Sequence, residues 1–62
     1  MRVAGKMAFV TGGASGLGRA SSIMLAKEGA KVAVSDVNAD GAQTVAEEIN
    51  ALYPGQGFAY RL

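Results

Sequence analysis

Three glycines, Gly12, Gly16 and Gly18, have the spacing G-x-x-x-G-x-G between a short apolar stretch and an amphipathic one. The first glycine lets the chain turn sharply after a strand, and the second lets the backbone touch a diphosphate where a side chain would collide. The third allows the next helix to pack closely on the sheet. N–H groups at that helix's positive end can hold an anion. The spacing therefore predicts a phosphate-binding turn; the alternative is a turn with a structural role alone.

One carboxylate, Asp36, ends the next apolar stretch, 18 residues after Gly18. This offset is close to the roughly 20 residues expected for the acid that binds the adenosine ribose of a dinucleotide. Its charge would repel the 2′-phosphate of NADP. A cation that offsets this charge would be expected at one of three nearby positions, but all three are uncharged: Ala14, Ser15 and Val37. The pattern favours NAD. The alternative is a solvated aspartate that merely begins the cap of the next helix.

Two other glycine motifs do not fit. A P-loop counted from Gly13 requires Lys and then Ser or Thr, where this chain has Arg19 and Ala20. The G-x-G-x-x-G fingerprint requires a glycine where Ser21 stands. Arg19 could approach a phosphate from the helix, but we interpret it as a solvated surface residue.

The elements that would position these groups alternate between strand and helix. Apolar residues 6–11 predict a strand buried on both faces, as in a parallel sheet. A helix follows over about residues 17–28, with Gly29 as a left-handed cap. A second strand over 31–36 leads to an N-cap at Asn38, with Asp40 in the first turn of the second helix. Tyr53-Pro54-Gly55 ends that helix, and a third strand begins over 58–62.

Helical spacing also predicts which side chains are buried. The apolar face of the first helix comprises Leu17, Ala20, Ile23, Met24 and Ala26, and that of the second Ala42, Val45, Ile49 and Leu52.

The order β-α-β-α-β predicts the α/β class: a Rossmann-type segment of a doubly wound parallel sheet, with helices on its faces. Three strands and two helices would leave apolar edges and at least one sheet face poorly covered, so the sequence is a piece of a longer chain or folds only against other polypeptide. We therefore expect residues 1–62 to be the N-terminal part of a single NAD-binding domain, whose partner is the remainder of its own chain.

Composition excludes several function classes. The chain has no cysteine or histidine, so no disulfide forms and a zinc site of the usual ligands is out of reach. Half of the residues are hydrophobic, as in a folded domain. A net charge of +1 gives no reason to expect nucleic acid or an anionic membrane as a partner. No stretch resembles a signal peptide or a membrane span, and the lack of cysteine is compatible with the cytoplasm.

The segment Thr11-Gly12-Gly13-Ala14-Ser15-Gly16-Leu17-Gly18 resembles the T-G-x-x-x-G-x-G motif of the short-chain dehydrogenase/reductase family, in its compact single-domain type. Residues 5–10 and 28–38 are also similar to that family, so the resemblance covers essentially the whole chain. It implies a Rossmann-type subunit, commonly a homotetramer, that transfers hydride between NAD and a secondary alcohol or ketone.

The resemblance also implies residue roles. Gly12, Gly16 and Gly18 would form the phosphate turn, Ser15 and the Leu17 backbone would contact the cofactor, and Asp36 would hold the ribose. Thr11 would brace the turn through its hydroxyl.

The family's catalytic Ser and Tyr-x-x-x-Lys are expected beyond Leu62, so these 62 residues hold no catalytic residue. Tyr53 has Gly57 in place of the lysine, and Tyr60 has too little chain after it; both are interpreted as packing residues. Two alternative functions stay open: a non-catalytic NAD-binding module, and a family reductase acting on a carrier-bound oxoacyl chain.

Overall fold

The structure, a computed structural model, describes residues 5–60 and contains three strands and two helices. In chain order these are β1 (Met7–Thr11), α1 (Gly16–Lys27), β2 (Lys31–Ser35), α2 (Ala39–Leu52) and β3 (Gly57–Ala59).

The three strands form one parallel sheet in the order β1-β2-β3. Phe9 pairs with Ala33, and Ala33 pairs with Phe58. Because the carboxyl ends of parallel strands meet at one edge, the turn after β1 and the residue after β2 become neighbours. The predicted α/β class and Rossmann-type β-α-β-α-β order are confirmed.

The core lies between one face of the sheet and both helices. Val32 and Val34 of β2 are fully buried there, and α2 contributes Ala42, Val45 and Ile49 to the same cluster. These three α2 residues were predicted, and their burial is confirmed. The prediction for Leu52 is wrong: it lies in the last turn and is 59% exposed. Ala46, which the pattern did not single out, is buried in its place.

The predicted apolar face of α1 is largely wrong. Leu17, Ala20 and Met24 are exposed, whereas Ala26 is buried as predicted, and Ser22, which the pattern did not include, is buried as well. The physical reason is close approach. Small side chains on one side bring the helix backbone near the sheet, and the Ser22 hydroxyl is satisfied because it donates to the Gly18 carbonyl oxygen at 2.7 Å. Of the other predicted residues, Ile23 is half-buried and packs against the core.

The opposite face of the sheet has no covering layer among residues 5–60. Met7 and Phe9 are 49% and 69% exposed, so the prediction of a first strand buried on both faces is wrong. Both helices share one core cluster and so pack on one face, which agrees with the expectation that two helices leave a sheet face uncovered. The Phe9 ring meets Tyr60 edge-on at 5.8 Å, and Tyr53 packs against the core, which confirms both tyrosines as packing residues.

Element ends differ by one or two residues from the sequence prediction. β1 begins at Met7 and α1 covers Gly16–Lys27, while β2 ends at Ser35 and leaves Asp36 just beyond the strand. β3 is three residues long, and positions 61 and 62 of its predicted range lie outside the described residues. Gly29 has φ +98°, as its role after the helix requires, and the Asn38 cap is confirmed because its side chain accepts from Gly41 N–H at 3.0 Å.

Within residues 5–60, neither helix has the length and apolar character needed to cross a membrane.

Candidate functional site

The turn after β1 begins at Gly12, which adopts φ +67°. This left-handed conformation disfavours any residue with a side chain, so the sharp turn inferred from the spacing is present. The Ser15 N–H donates to the Gly12 carbonyl oxygen at 3.1 Å, and the Gly13 N–H donates to the Ser35 carbonyl oxygen at 2.9 Å. These bonds fix the turn onto the end of β2.

Ser15 caps α1. Its hydroxyl accepts from the Gly18 N–H at 3.1 Å and donates to the Gly12 carbonyl oxygen at 2.8 Å. The hydroxyl hydrogen is therefore used within the turn, and what remains for a ligand is acceptor capacity alone. Ser15 thus stabilises the turn and the start of α1.

The start of α1 presents donors outward. Among the hydrogen bonds of residues 5–60, none uses the N–H of Gly16 or Leu17, the first two groups of the helix. A Cβ built on Gly16 would meet nothing within 4 Å, so open space lies over these donors. Two free N–H groups at a positive helix end, under unoccupied space, suit a phosphate group. The local geometry thus fits the anionic centre of a dinucleotide.

Close packing holds the remainder of the turn. A Cβ on Gly18 would overlap the Gly12 carbonyl oxygen and lie 2.8 Å from Gly13 Cα. The third glycine is therefore needed because the helix touches the turn itself, whereas the sequence argument assigned it to helix–sheet packing. A Cβ on Gly13 would overlap Val34 Cγ1. The need for glycine at position 13 was not predicted from the spacing, although two consecutive glycines stand at positions 12 and 13.

Asp36 lies at the lip of this turn. Its Oδ2 accepts from the Ala14 N–H at 3.0 Å, and its Oδ1 accepts from the Asn38 N–H at 2.9 Å. The carboxylate thus joins the glycine turn to the start of α2. Hydrogen bonds from the N–H groups of Asn38 and then Ala14 hold the pKa of this carboxyl below its ordinary value of 3.8, so Asp36 is ionised at neutral pH.

Two residues behave differently from their expected roles. No hydrogen bond among residues 5–60 involves the Thr11 hydroxyl, so the brace implied by the resemblance is not formed. Thr11 pairs with Ser35 in the sheet and is exposed. Arg19 is on the surface, as interpreted, but its Nε lies 2.9 and 3.1 Å from the two carboxylate oxygens of Glu48 on α2. This pairing directs the guanidinium toward α2.

A cleft of about 190 Å³ opens beside Asp36, between the start of α2 and the end of β3. This cleft was not predicted, because its walls come from segments that are far apart in the chain. Its lining residues are Asp36, Ala39, Ala42, Gln43, Ala59 and Tyr60.

Nothing in residues 5–60 groups three His, Cys, Asp or Glu side chains as a metal site would require. Both described tyrosines are used in packing. Residues 5–60 bring together a turn with outward-facing N–H groups and an ionised carboxylate.

Comparison with known proteins agrees with this geometry. The sequence profile of the short chain dehydrogenase family matches residues 6–61. The chain is 48% identical over 61 residues to the 7alpha-hydroxysteroid dehydrogenase of Escherichia coli K12, covering 98% of this chain and 24% of that protein. It is 54% identical over 50 residues to a 2,5-dichloro-2,5-cyclohexadiene-1,4-diol dehydrogenase of Sphingobium indicum, covering 81% and 20% respectively.

Solved structures give the same result. A hydroxysteroid dehydrogenase from Escherichia coli superposes with a TM-score of 0.89 at 48% identity, covering 97% of this chain and 25% of that one. A short chain dehydrogenase from Shigella flexneri, complexed with NADP, superposes with a TM-score of 0.88 at 28% identity, covering 97% and 25%.

The chain spans about a quarter of the length of these relatives or less. Within that span, the family profile, the identity and the superposition coincide with the glycine turn and the parallel sheet. This chain belongs to the short-chain dehydrogenase/reductase family.

Proposed function

We propose that this chain supplies the dinucleotide-binding part of an NAD-dependent oxidoreductase. The observation that carries the proposal is the position of Asp36, whose carboxylate is bonded to the Ala14 N–H of the glycine turn. Gly16 and Leu17 would hold the diphosphate through their N–H groups, and Gly12, Ser15 and Gly18 would keep the turn in the shape that presents them. Residues 1–62 would then form the N-terminal part of a single Rossmann-type NAD-binding domain.

The preference for NAD rests on Asp36. Each of its oxygens accepts one hydrogen bond from the backbone, and each retains acceptor capacity for one ribose hydroxyl. A 2′-phosphate at the same position would meet a negative charge. Arg19 is paired with Glu48 and does not offset that charge. A relative was solved with NADP, so family membership alone does not decide between NAD and NADP. The preference for NAD therefore rests on Asp36 and on the pairing of Arg19 with Glu48.

The proposed reaction is hydride transfer between NAD and a secondary alcohol or ketone. Bound NAD would supply the hydride acceptor, and this chain's residues would hold and orient it. The names of two relatives, a 7alpha-hydroxysteroid dehydrogenase and a cyclohexadiene-diol dehydrogenase, favour a cyclic secondary alcohol as the small-molecule partner. We place the catalytic residues outside residues 1–62, in the remainder of the chain, and assign no metal.

Two further candidates are retained. A relative from Thermotoga maritima, a 3-oxoacyl-[acyl-carrier-protein] reductase 37% identical over 62 residues, favours an oxoacyl reductase as the alternative enzyme. The other candidate is a non-catalytic NAD-binding module.

For the intact protein we propose a cytoplasmic homo-oligomer, a homotetramer as the resemblance implies, with neither nucleic acid nor membrane as a partner.

The test is a comparison of cofactors on the intact protein. We expect calorimetric titration to give a dissociation constant for NAD at least about tenfold lower than for NADP. A panel of cyclic secondary alcohols should then support NAD reduction. Equal or tighter binding of NADP would contradict the NAD assignment. NAD binding without turnover of alcohols or of carrier-bound oxoacyl chains would favour the non-catalytic module.

The lowered pKa of Asp36 predicts how NAD affinity depends on pH. A carboxyl whose folded-state pKa lies below 3.8 contributes its charge at every pH above that value and loses it as the pH falls through the lowered value. Residues 1–62, which hold the proposed binding groups, contain no histidine that would titrate nearer neutrality. We therefore expect the NAD dissociation constant to be constant within about twofold from about pH 5 to 8. A titration of affinity centred inside that interval would show that another group controls binding.

A further inference from the structure

Gly41 lies in the first turn of α2, outside the glycine motif, and faces the glycine turn. A Cβ built on it would lie 2.7 Å from Ala14 Cβ and 2.9 Å from Asn38 Nδ2. Its φ is not among the positive values of the described residues, so the backbone conformation does not require glycine. Glycine is also unfavourable inside a helix. The lack of a side chain is therefore explained by close packing at this point.

The two residues against Gly41 are the ones that hold Asp36. Ala14 donates its N–H to Oδ2, and Asn38 donates its N–H to Oδ1. Asn38 is in turn fixed by its side-chain bond from the Gly41 N–H at 3.0 Å. A methyl group at position 41 would push on Ala14 Cβ, which has no rotamer by which to move aside, so the turn backbone would have to shift.

We propose that Gly41 is a positioning residue for the cofactor's ribose: its bare Cα lets the glycine turn approach α2 closely enough for both amides to hold the Asp36 carboxylate. The inference rests on the proposed role of Asp36. It adds a residue that touches no ligand but sets the orientation of the group that does. The space between positions 14 and 41 then has room for one methyl group but not for two.

A double-mutant cycle on the intact protein tests the pair. Gly41→Ala should raise the NAD dissociation constant about five- to tenfold, since the displaced turn no longer fixes Asp36. In an Ala14→Gly background the same Gly41→Ala change should alter the constant by less than about twofold, because the opposing methyl group is gone and the other close atom, Asn38 Nδ2, is the end of a side chain that can shift. Alanine favours the helix, so the variant is expected to stay folded, which a melting curve checks.

Thr44→Ala is the matched control, an exposed change one turn further along α2. It should leave NAD affinity unchanged. An effect of Gly41→Ala below twofold would overturn the proposal. So would an equal effect in both backgrounds, since the two methyl groups would then act independently.

A second readout needs no cofactor. An amide bonded to a carboxylate has a downfield proton resonance, so Gly41→Ala should move the residue-14 amide proton upfield, and should not do so in the Ala14→Gly background. If the wild-type protein binds no NAD, the proposed function fails, and this amide shift decides the role of Gly41 separately. An unmoved residue-14 amide would overturn that role.

Discussion

Replacing Asp36 by asparagine in the intact protein should weaken NAD binding by about 10- to 100-fold and remove most of the discrimination against NADP. Asparagine keeps the size of the side chain but offers one acceptor oxygen where the carboxylate offers two. The backbone donors Ala14 and Asn38 then compete for that oxygen with the ribose hydroxyls. Loss of the charge also removes the repulsion that excludes a 2′-phosphate.

The measurement is the pair of dissociation constants for NAD and NADP, taken by calorimetry on both proteins. Asp40→Asn is the matched control, because Asp40 is an exposed carboxylate in the first turn of α2 and its loss changes the net charge equally. We expect it to leave the ratio of the two constants unchanged. A fall in affinity for both cofactors by the same factor in Asp36→Asn would show that Asp36 supports the turn without selecting the cofactor.

Alanine at Gly18 and alanine at Gly16 should both impair NAD binding, but only the Gly18 change should destabilise the fold. At Gly18 the new Cβ overlaps the backbone of the preceding turn, which has no side-chain freedom to yield, so we expect the melting temperature to fall by at least about 5 °C and NAD binding to be lost. At Gly16 the Cβ enters open space, so the melting temperature should stay within about 2 °C of wild type.

The Gly16→Ala variant separates the effect of the added methyl group on NAD binding from its effect on the stability of the fold. Its added methyl group stands where the diphosphate would contact the backbone, and we expect NAD affinity to fall more than about tenfold. Thermal unfolding with and without NAD measures both quantities in one experiment. A Gly16→Ala protein that binds NAD as wild type does would remove the reason for placing the diphosphate over the start of α1.

Much of the fold was predictable because it is determined by local patterns. Continuous apolar runs and helical spacing placed β1, β2 and α2 within one or two residues, and the Asn38 cap and Gly29 follow from the conformations those residue types favour. β3 was less well placed: it occupies Gly57–Ala59, where 58–62 was expected. The Gly12 turn and the offset of Asp36 were also readable, since a strand–turn–helix unit sets both by chain distance.

The errors arose where partners come from distant segments. Leu17 and Met24 were predicted to be buried from their hydrophobicity alone, but the residues that α1 buries are the small Ser22 and Ala26. Burial of Ser22 is tolerated because its hydroxyl donates a hydrogen bond to the Gly18 carbonyl oxygen. Likewise, Phe9 was expected to be buried, but both helices pack on the other face.

By itself, the sequence determined the order of strands and helices, the glycine turn and the presence of a carboxylate near it, because these depend on residue type and on spacing along the chain. Only the tertiary structure decided that Asp36 bonds the turn through Ala14, that Arg19 is held by Glu48, and that Gly41 lies against the side chains of Ala14 and Asn38. The reason is physical: hydrogen bonds and close contacts depend on distances of a few tenths of an ångström between segments that are remote in sequence.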